Sequence, residues 1–451
     1  MKLVFNVKDR PKLPQLIAFA LQQLLAIMAA TIAVPAAVGH GMSASAALLG
    51  AGVGTIVYQL FTKFKSPVFL GSSFAFIASM NVAFAGAASM QAGYAGLIIG
   101  ALFAGLVYVV IALVIKFAGV AWISKLMPAV VIGPTVAIIG LSLAGAAVGD
   151  MSKGDVANCS PYVALICSIV TLFVVIICST YGKRMVKLIP FIIGILAGYA
   201  TAMIFTVIGI ATNNQALMVI SFEPFKALVD DGVSICTFVA LPEFTFLSAI
   251  EGLKHIDAAY LGTLAVAYVP VAFVVFAEHI ADHKNLSTII ESDLLEDPGL
   301  HRTLLGDGVG SIAGAFFGGC PNTTYGESVG CVAITQNASV ITITAAAIGS
   351  IIIAFFSPFV AFLDSIPPCV MGGVCVTLYG FIAVSGLKMI QQIDLEDNKN
   401  LFVVSVILIT GIGGLVVSFG KVTITSIACA LVLGIVINLI LNAKKGEANK
   451  K

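Results

Sequence analysis

The segment "AEHIADH", Ala277 to His283, sets Glu278, His279, Asp282 and His283 within about two turns of a helix. It closes an almost unbroken apolar run, "YLGTLAVAYVPVAFVVF". On a helix Glu278 and Asp282 share one face and His279 and His283 another, because residues four apart are neighbours. Histidines at that spacing beside an acid resemble a zinc-ligand arrangement, yet a catalytic zinc needs a third protein ligand and an open position. His40, His255 and His301 fall near loops, and no cysteine cluster completes a set, so no metal site is expected. What remains is hydrogen-bond acceptance and proton transfer. A second acid, Glu327, stands in "GGCPNTTYGESVGCVAIT" (Gly318 to Thr335), beside Gly326, and no Lys or Arg occurs between Arg302 and Lys388. An ionisable group in a hydrocarbon interior costs roughly 2.5–3.5 kcal/mol, so such groups face a cavity or a partner. Glu278 precedes Lys284 by only a turn or two and therefore also reads as a helix-end residue at the headgroups.

These residues need a membrane scaffold. The 451-residue chain is 59% hydrophobic and 10% charged, with a mean hydropathy of +1.09. That composition excludes an ordinary soluble domain and predicts an all-α polytopic membrane protein. About fourteen windows have the roughly 17–25 apolar residues that a crossing helix requires. They centre near residues 25, 54, 78, 105, 137, 170, 200, 270, 310, 329, 350, 378, 408 and 432. The N-terminal "MKLVFNVKDRPKLP" does not read as a cleaved signal peptide. With a cytoplasmic N-terminus and an even number of crossings, only Lys153, Lys226, Lys254 and Lys421 fall outside, as the positive-inside rule requires. Both termini are then cytoplasmic, and the basic residues are topological signals with no nucleic-acid partner. The nine cysteines are scattered and read as packing residues.

The third and tenth windows are poor helices. "SPVFLGSSFAFIAS" (Ser66 to Ser79) carries Pro67 and the run Gly71, Ser72, Ser73; the tenth carries Pro321 and "NTTYG". Irregular backbone at membrane depth persists only where protein or a watery cavity satisfies it. Matching broken segments in two halves point to the binding site of an inverted-repeat transporter. The expected organisation is a tail (1–13), a first repeat of seven segments (14–211), an external connection (212–257), a second repeat (258–441) and a second tail (442–451).

From Ala277 to Thr335, through "IPPCVMGGVCVTLYG" (Ile366 to Gly380) and "VFLGSSFAF", the chain resembles the nucleobase/ascorbate transporter family, and most of all its bacterial uracil permease branch. The resemblance covers essentially the whole chain. It implies fourteen segments in two inverted repeats, a core domain of segments 1–4 and 8–11 and a gate domain of 5–7 and 12–14. It also implies short β-strands in segments 3 and 10, a homodimer in the bacterial cytoplasmic membrane, and proton-driven uracil uptake without enzyme activity or cofactor. Substrate contacts then fall on Glu278, Glu327 and the backbone amides of Phe74 and Gly326, with Ser73, Tyr325 and Ser328 in support and His283 beside Glu278 for proton coupling. A xanthine or purine permease is the alternative. Where relatives commonly carry Asn and, further on, a basic residue, this chain has Ser328 and Gln336; where they often have Gln-His in segment 1, it has Gln22-Gln23. Asp282 reads as facing the cytoplasmic headgroups rather than joining the proton path.

The chemistry of the residues agrees with a pyrimidine ligand: carboxylates accept ring N–H groups, and free backbone N–H groups take carbonyl oxygens. A buried Glu278 escapes its burial penalty by protonating or by accepting substrate N–H groups, which would couple proton and substrate.

Overall fold

The computed structural model describes residues 3–119, 128–183, 185–230, 232–419 and 422–443. Lys2, Lys125, Arg184, Lys421, Lys444, Lys445, Lys450 and Lys451 of the charge pattern, and most of the C-terminal tail, lie outside the described residues. In the first half the helices are α1 (Leu13–Val38), α2 (Ala44–Phe61), α3 (Ile77–Ala85), α4 (Met90–Ala118), α5 (Ala129–Ser142), α6 (Pro161–Tyr181) and α7 (Pro190–Ala211). The second half contains α8 (Ala258–Ile290), α9 (Leu300–Gly318), α10 (Gly326–Thr335), α11 (Val340–Ala354), α12 (Pro368–Ile390), α13 (Asn398–Ile412) and α14 (Ser426–Ala443). Among the described residues, eight helical stretches are long and apolar enough to cross a membrane, as a multi-pass membrane protein requires. Between Ala211 and Ala258 the described residues form short elements, the longest being the helix Thr245–Gly252.

Two strands, β1 (Leu70–Ser72) and β2 (Asn322–Thr324), interrupt the poor windows and pair antiparallel, Leu70 with Thr324, Gly71 with Thr323 and Ser72 with Asn322. Apolar surroundings offer no water to the strand edges, so their backbone groups need protein partners. Thr55 Oγ1 lies 2.9 Å from Leu70 N and 3.2 Å from Leu70 O, accepting from one and donating to the other. Phe69 N donates to Ser328 Oγ at 2.9 Å, Ser73 N donates to Pro321 O at 2.9 Å, and Tyr325 Oη donates to Ser72 O at 2.7 Å. Gly319, at φ +76°, ends α9 in the left-handed conformation that lets the chain turn into β2.

Around this ribbon, α2 packs closely on α9, with α4, α8 and α11 beside them, while α5, α6, α7, α12 and α13 pack together as a second group. The first contact depends on glycine. A Cβ on Gly54 would lie 2.7 Å from Gly310 O, and one on Gly310 would lie 2.8 Å from Gly54 O. Small residues let helix backbones approach where lipid supplies no hydrophobic drive between helices. A second antiparallel strand pair, β3 (Val417–Phe419) with β4 (Val422–Ile424), precedes α14 and is not predicted by hydropathy.

Gly310→Val is expected to lower the midpoint of thermal unfolding in detergent, because overpacking costs about 1–3 kcal/mol. Gly380→Ala, with nothing within 4 Å of its Cβ, should leave it unchanged.

Candidate functional site

The two broken segments meet at a cavity of about 390 Å³ between the two helix groups, within the range of small-molecule sites. One wall is polar and belongs to the ribbon and α8: Ser73, Phe74, Glu278, Asp282, Thr323, Thr324, Tyr325, Gly326 and Glu327. The opposite wall is mostly apolar, with Ile132, Val136 and Ile139 from α5, Phe191 from α7 and Leu378, Phe381, Ile382 and Met389 from α12. Phe74 begins the short 3₁₀ turn Phe74–Phe76 that leads into α3, and Gly326 begins α10. The first N–H groups of a helix have no intrahelical acceptor, so two helix starts turn donors toward one cavity. Glu327, in the first turn of α10, places a carboxylate where the helix dipole favours it. Phe74 meets Tyr379 of α12 edge to face, with ring centroids 5.7 Å apart.

Helix α8 does not end near the histidines but continues to Ile290. Glu278 therefore lies about 18 Å, twelve residues at 1.5 Å each, from the end of the helix. It faces the cavity rather than the helix end. Asp282, read from sequence as facing the headgroups, lines the same cavity one turn on and accepts a hydrogen bond from Thr324 Oγ1 at 2.8 Å. His283 does not line it. Its ring is buried behind α8, with Nδ1 2.8 Å from His279 O and Nε2 2.7 Å from Tyr58 Oη. Ser328 also stands one layer back, its hydroxyl turned to Phe69 N and to Gln23 Nε2. Sequence reasoning missed Thr323, whose buried hydroxyl, like that of Ser73, has no partner among the described residues and borders the cavity. It also missed Asp307, fully buried on α9. Among the described residues no cluster of His, Cys, Asp and Glu is suited to a metal ion.

A larger cavity, about 800 Å³, lies at the end of the molecule where α1 turns into α2. It holds two acids, Glu243 and Asp364; burial, then the neighbouring Glu243, pushes the Asp364 carboxyl up to about 6.

A family model described as a permease family matches residues 14–420. The chain is 38% identical over 450 residues to the uracil permease of Bacillus caldolyticus, covering 99% of this chain and 96% of that protein. It is 33% identical over 438 residues to the uracil permease of Escherichia coli K12, covering 96% and 93%. Among solved structures, the transmembrane domain of a cyanobacterial bicarbonate transporter aligns with a TM-score of 0.61 at 14% identity, covering 96% of this chain and 98% of that one. A murine solute carrier 26 anion transporter in the inward-facing state aligns at 0.64 and 12% identity, covering 97% and 69%. Identities this low carry the fold alone.

Gln23 and Ser328, both departures from the common pattern, are hydrogen-bonded to each other. Gln23 is 3% exposed and Ser328 fully buried, so Ser328→Ala would strand two buried donors, Gln23 Nε2 and Phe69 N, at about 1–3 kcal/mol each. A lower thermal midpoint for Ser328→Ala is the expected result, with Ser328→Thr, which keeps the hydroxyl, closer to wild type.

Proposed function

Because the chain belongs to this permease family, the nucleobase/ascorbate transporters, we propose that it is a proton-coupled uracil permease of the bacterial cytoplasmic membrane. The observation that carries the proposal is the cavity itself, where Glu278 and Glu327 border the same space as the helix starts at Phe74 and Gly326. A uracil ring presents N–H groups to the carboxylates and carbonyl oxygens to the backbone N–H groups of Phe74 and Gly326. The apolar wall covers its faces, and the Phe74 ring adds an edge or stacking surface.

Proton coupling follows from charge. Glu278, Asp282 and Glu327 border one cavity whose remaining lining is mostly apolar, and like charges in such surroundings repel more strongly than in water. Each proton taken up removes part of that repulsion. A substrate N–H bonded to a remaining carboxylate removes more, so proton and uracil favour each other's binding. Glu278 is the coupling acid in this reading. Asp282 joins it as the residue beside it on the cavity face, and His283 contributes through the hydrogen bonds behind the helix. With both termini cytoplasmic, fourteen segments divide into a core of segments 1–4 and 8–11 and a gate of 5–7 and 12–14. The site lies on their contact, so rocking one against the other exposes it to each side in turn. A homodimer follows from the same family reading.

Uptake of radiolabelled uracil into proteoliposomes with an inward proton gradient tests the proposal. It should be abolished by a protonophore, resist excess xanthine and be lost in Glu327→Gln. Uptake of xanthine in place of uracil would transfer the reading to a purine permease. Glu278→Gln should abolish accumulation against a gradient and flatten the rise of uptake with external acidity. Accumulation in that variant with wild-type pH dependence would remove Glu278 from the coupling role.

A further inference from the structure

Behind the cavity, on the other flank of α8, lies a buried polar cluster that no step of transport above uses directly. His279 Nδ1 is 2.8 Å from Asp307 Oδ2 on α9, and both side chains are fully buried. His279 Nε2 is 3.0 Å from Thr303 Oγ1. The imidazole of His279 stacks on that of His283, with centroids 4.0 Å apart and planes 28° apart. His283 continues the cluster to Tyr58 of α2, whose hydroxyl also bonds Ser66 Oγ at 2.7 Å.

Hydrogen-bond accounting restricts where the protons are. Thr303 Oγ1 donates to Leu300 O at 3.1 Å, which leaves it to accept from His279 Nε2–H. A carboxylate oxygen and a ring nitrogen at 2.8 Å need one proton between them. That proton rests either on Nδ1, giving an ion pair, or on Oδ2, giving a neutral acid and imidazole; both forms have no net charge. His283 Nδ1 faces a carbonyl and must donate, while its Nε2 and Ser66 Oγ both lie 2.7 Å from Tyr58 Oη, whose single proton is directed to Ser66. Asp307 Oδ1 has no partner among the described residues.

Successive residues on a helix are about 100° apart. Glu278 and His279 are successive, so the direction in which His279 is fixed dictates the direction in which Glu278 points. We infer that His279 and Asp307 are positioning residues: a net-neutral clamp between α8 and α9 that sets the rotation of α8 and so aims Glu278 and Asp282 into the cavity. The ring of His283, held by Tyr58, extends the clamp to α2. This inference rests on the proposed transport function only for its kinetic readout.

The test uses the full-length protein carrying His279→Ala, His279→Asn, Asp307→Asn or the pair H279A/D307N. His279→Ala alone strands a buried carboxylate and is expected to lower the yield of folded protein. The pair removes that charge and should restore the yield. His279→Asn keeps an N–H donor where Nδ1 stands. Two measurements then apply to variants that elute as folded protein. The apparent KM for uracil should rise about tenfold or more in H279A/D307N, as misplacement of a binding group costs, while the pH dependence of uptake keeps its wild-type midpoint and His279→Asn stays near wild type. Independently of any substrate, a thiol reagent should label Ala281→Cys, a cavity-lining position, at a rate changed several-fold by the paired substitution, as read by mass spectrometry of that peptide. A folded H279A/D307N protein with wild-type KM and wild-type labelling would overturn the inference. So would a shifted pH midpoint, because the pair would then carry a transported proton. Should the wild type not carry uracil, the labelling rate still decides.

Discussion

The structure depends on one constraint: backbone that leaves helical geometry inside an apolar surround must find every hydrogen bond within the protein. β1 and β2 meet it only partly by pairing with each other, since a two-stranded ribbon has two open edges. Thr55, Ser328 and Tyr325 close them with side chains. Asn322 adds a tie from β2 to α2 by donating to Gly50 O at 3.0 Å. The close approach of α2 and α9 through glycine is the other half of the solution, because Asn322 reaches a helix carbonyl only where no Cβ stands in the way. Two strands that pair antiparallel and then lead into helices bring two helix starts, at Phe74 and Gly326, to one cavity.

Polarity on two flanks makes α8 unusual among these helices. Its cavity side bears Glu278 and Asp282, and its inner side bears His279 and His283, with the apolar residues Val274, Val275, Phe276 and Leu286 buried around them. A helix of that kind has no single apolar stripe to fix its rotation. Specific polar bonds must do so, and those to Asp307, Thr303 and Tyr58 are available. The same geometry separates the charges: three acids share the cavity, whereas the fourth, Asp307, is compensated by a histidine on the far side of the helix.

Much of the fold and part of the site could be read from the chain. All fourteen apolar windows coincide with a helix or a strand–helix element, because hydropathy reports burial in any apolar surround. Pro67 and Pro321 with the small polar runs after them marked the two interruptions. Glu278 and Glu327 stood out because acids in such windows are costly. Asp307 did not, since "LLGDGVG" reads as a glycine-rich helix with one polar residue, and its partner is twenty-eight positions away. The choice between Asp282 and His283 also needed three dimensions. They are adjacent in sequence, and which one faces the cavity is set by contacts on both sides of α8. The β3–β4 pair escapes for another reason: "VSF" and "VTIT" alternate at the strand period, yet a search for long apolar windows is blind to period two.

Gln23 and Ser328 carry the comparison with relatives one step further. Taken singly, Gln in place of His in α1 and Ser in place of Asn in α10 each look like the loss of a hydrogen-bonding group beside the site. Bonded to one another, they link α1 to α10, and the Ser328 hydroxyl takes the Phe69 N–H as well. Neither residue lines the cavity wall. The wall itself differs in kind from what an anion carrier of the same fold would need: three carboxylates repel a negative substrate, while two helix starts alone would attract one. Glu278, Asp282 and Glu327 therefore give the polar wall of this cavity a character that disfavours a negative charge.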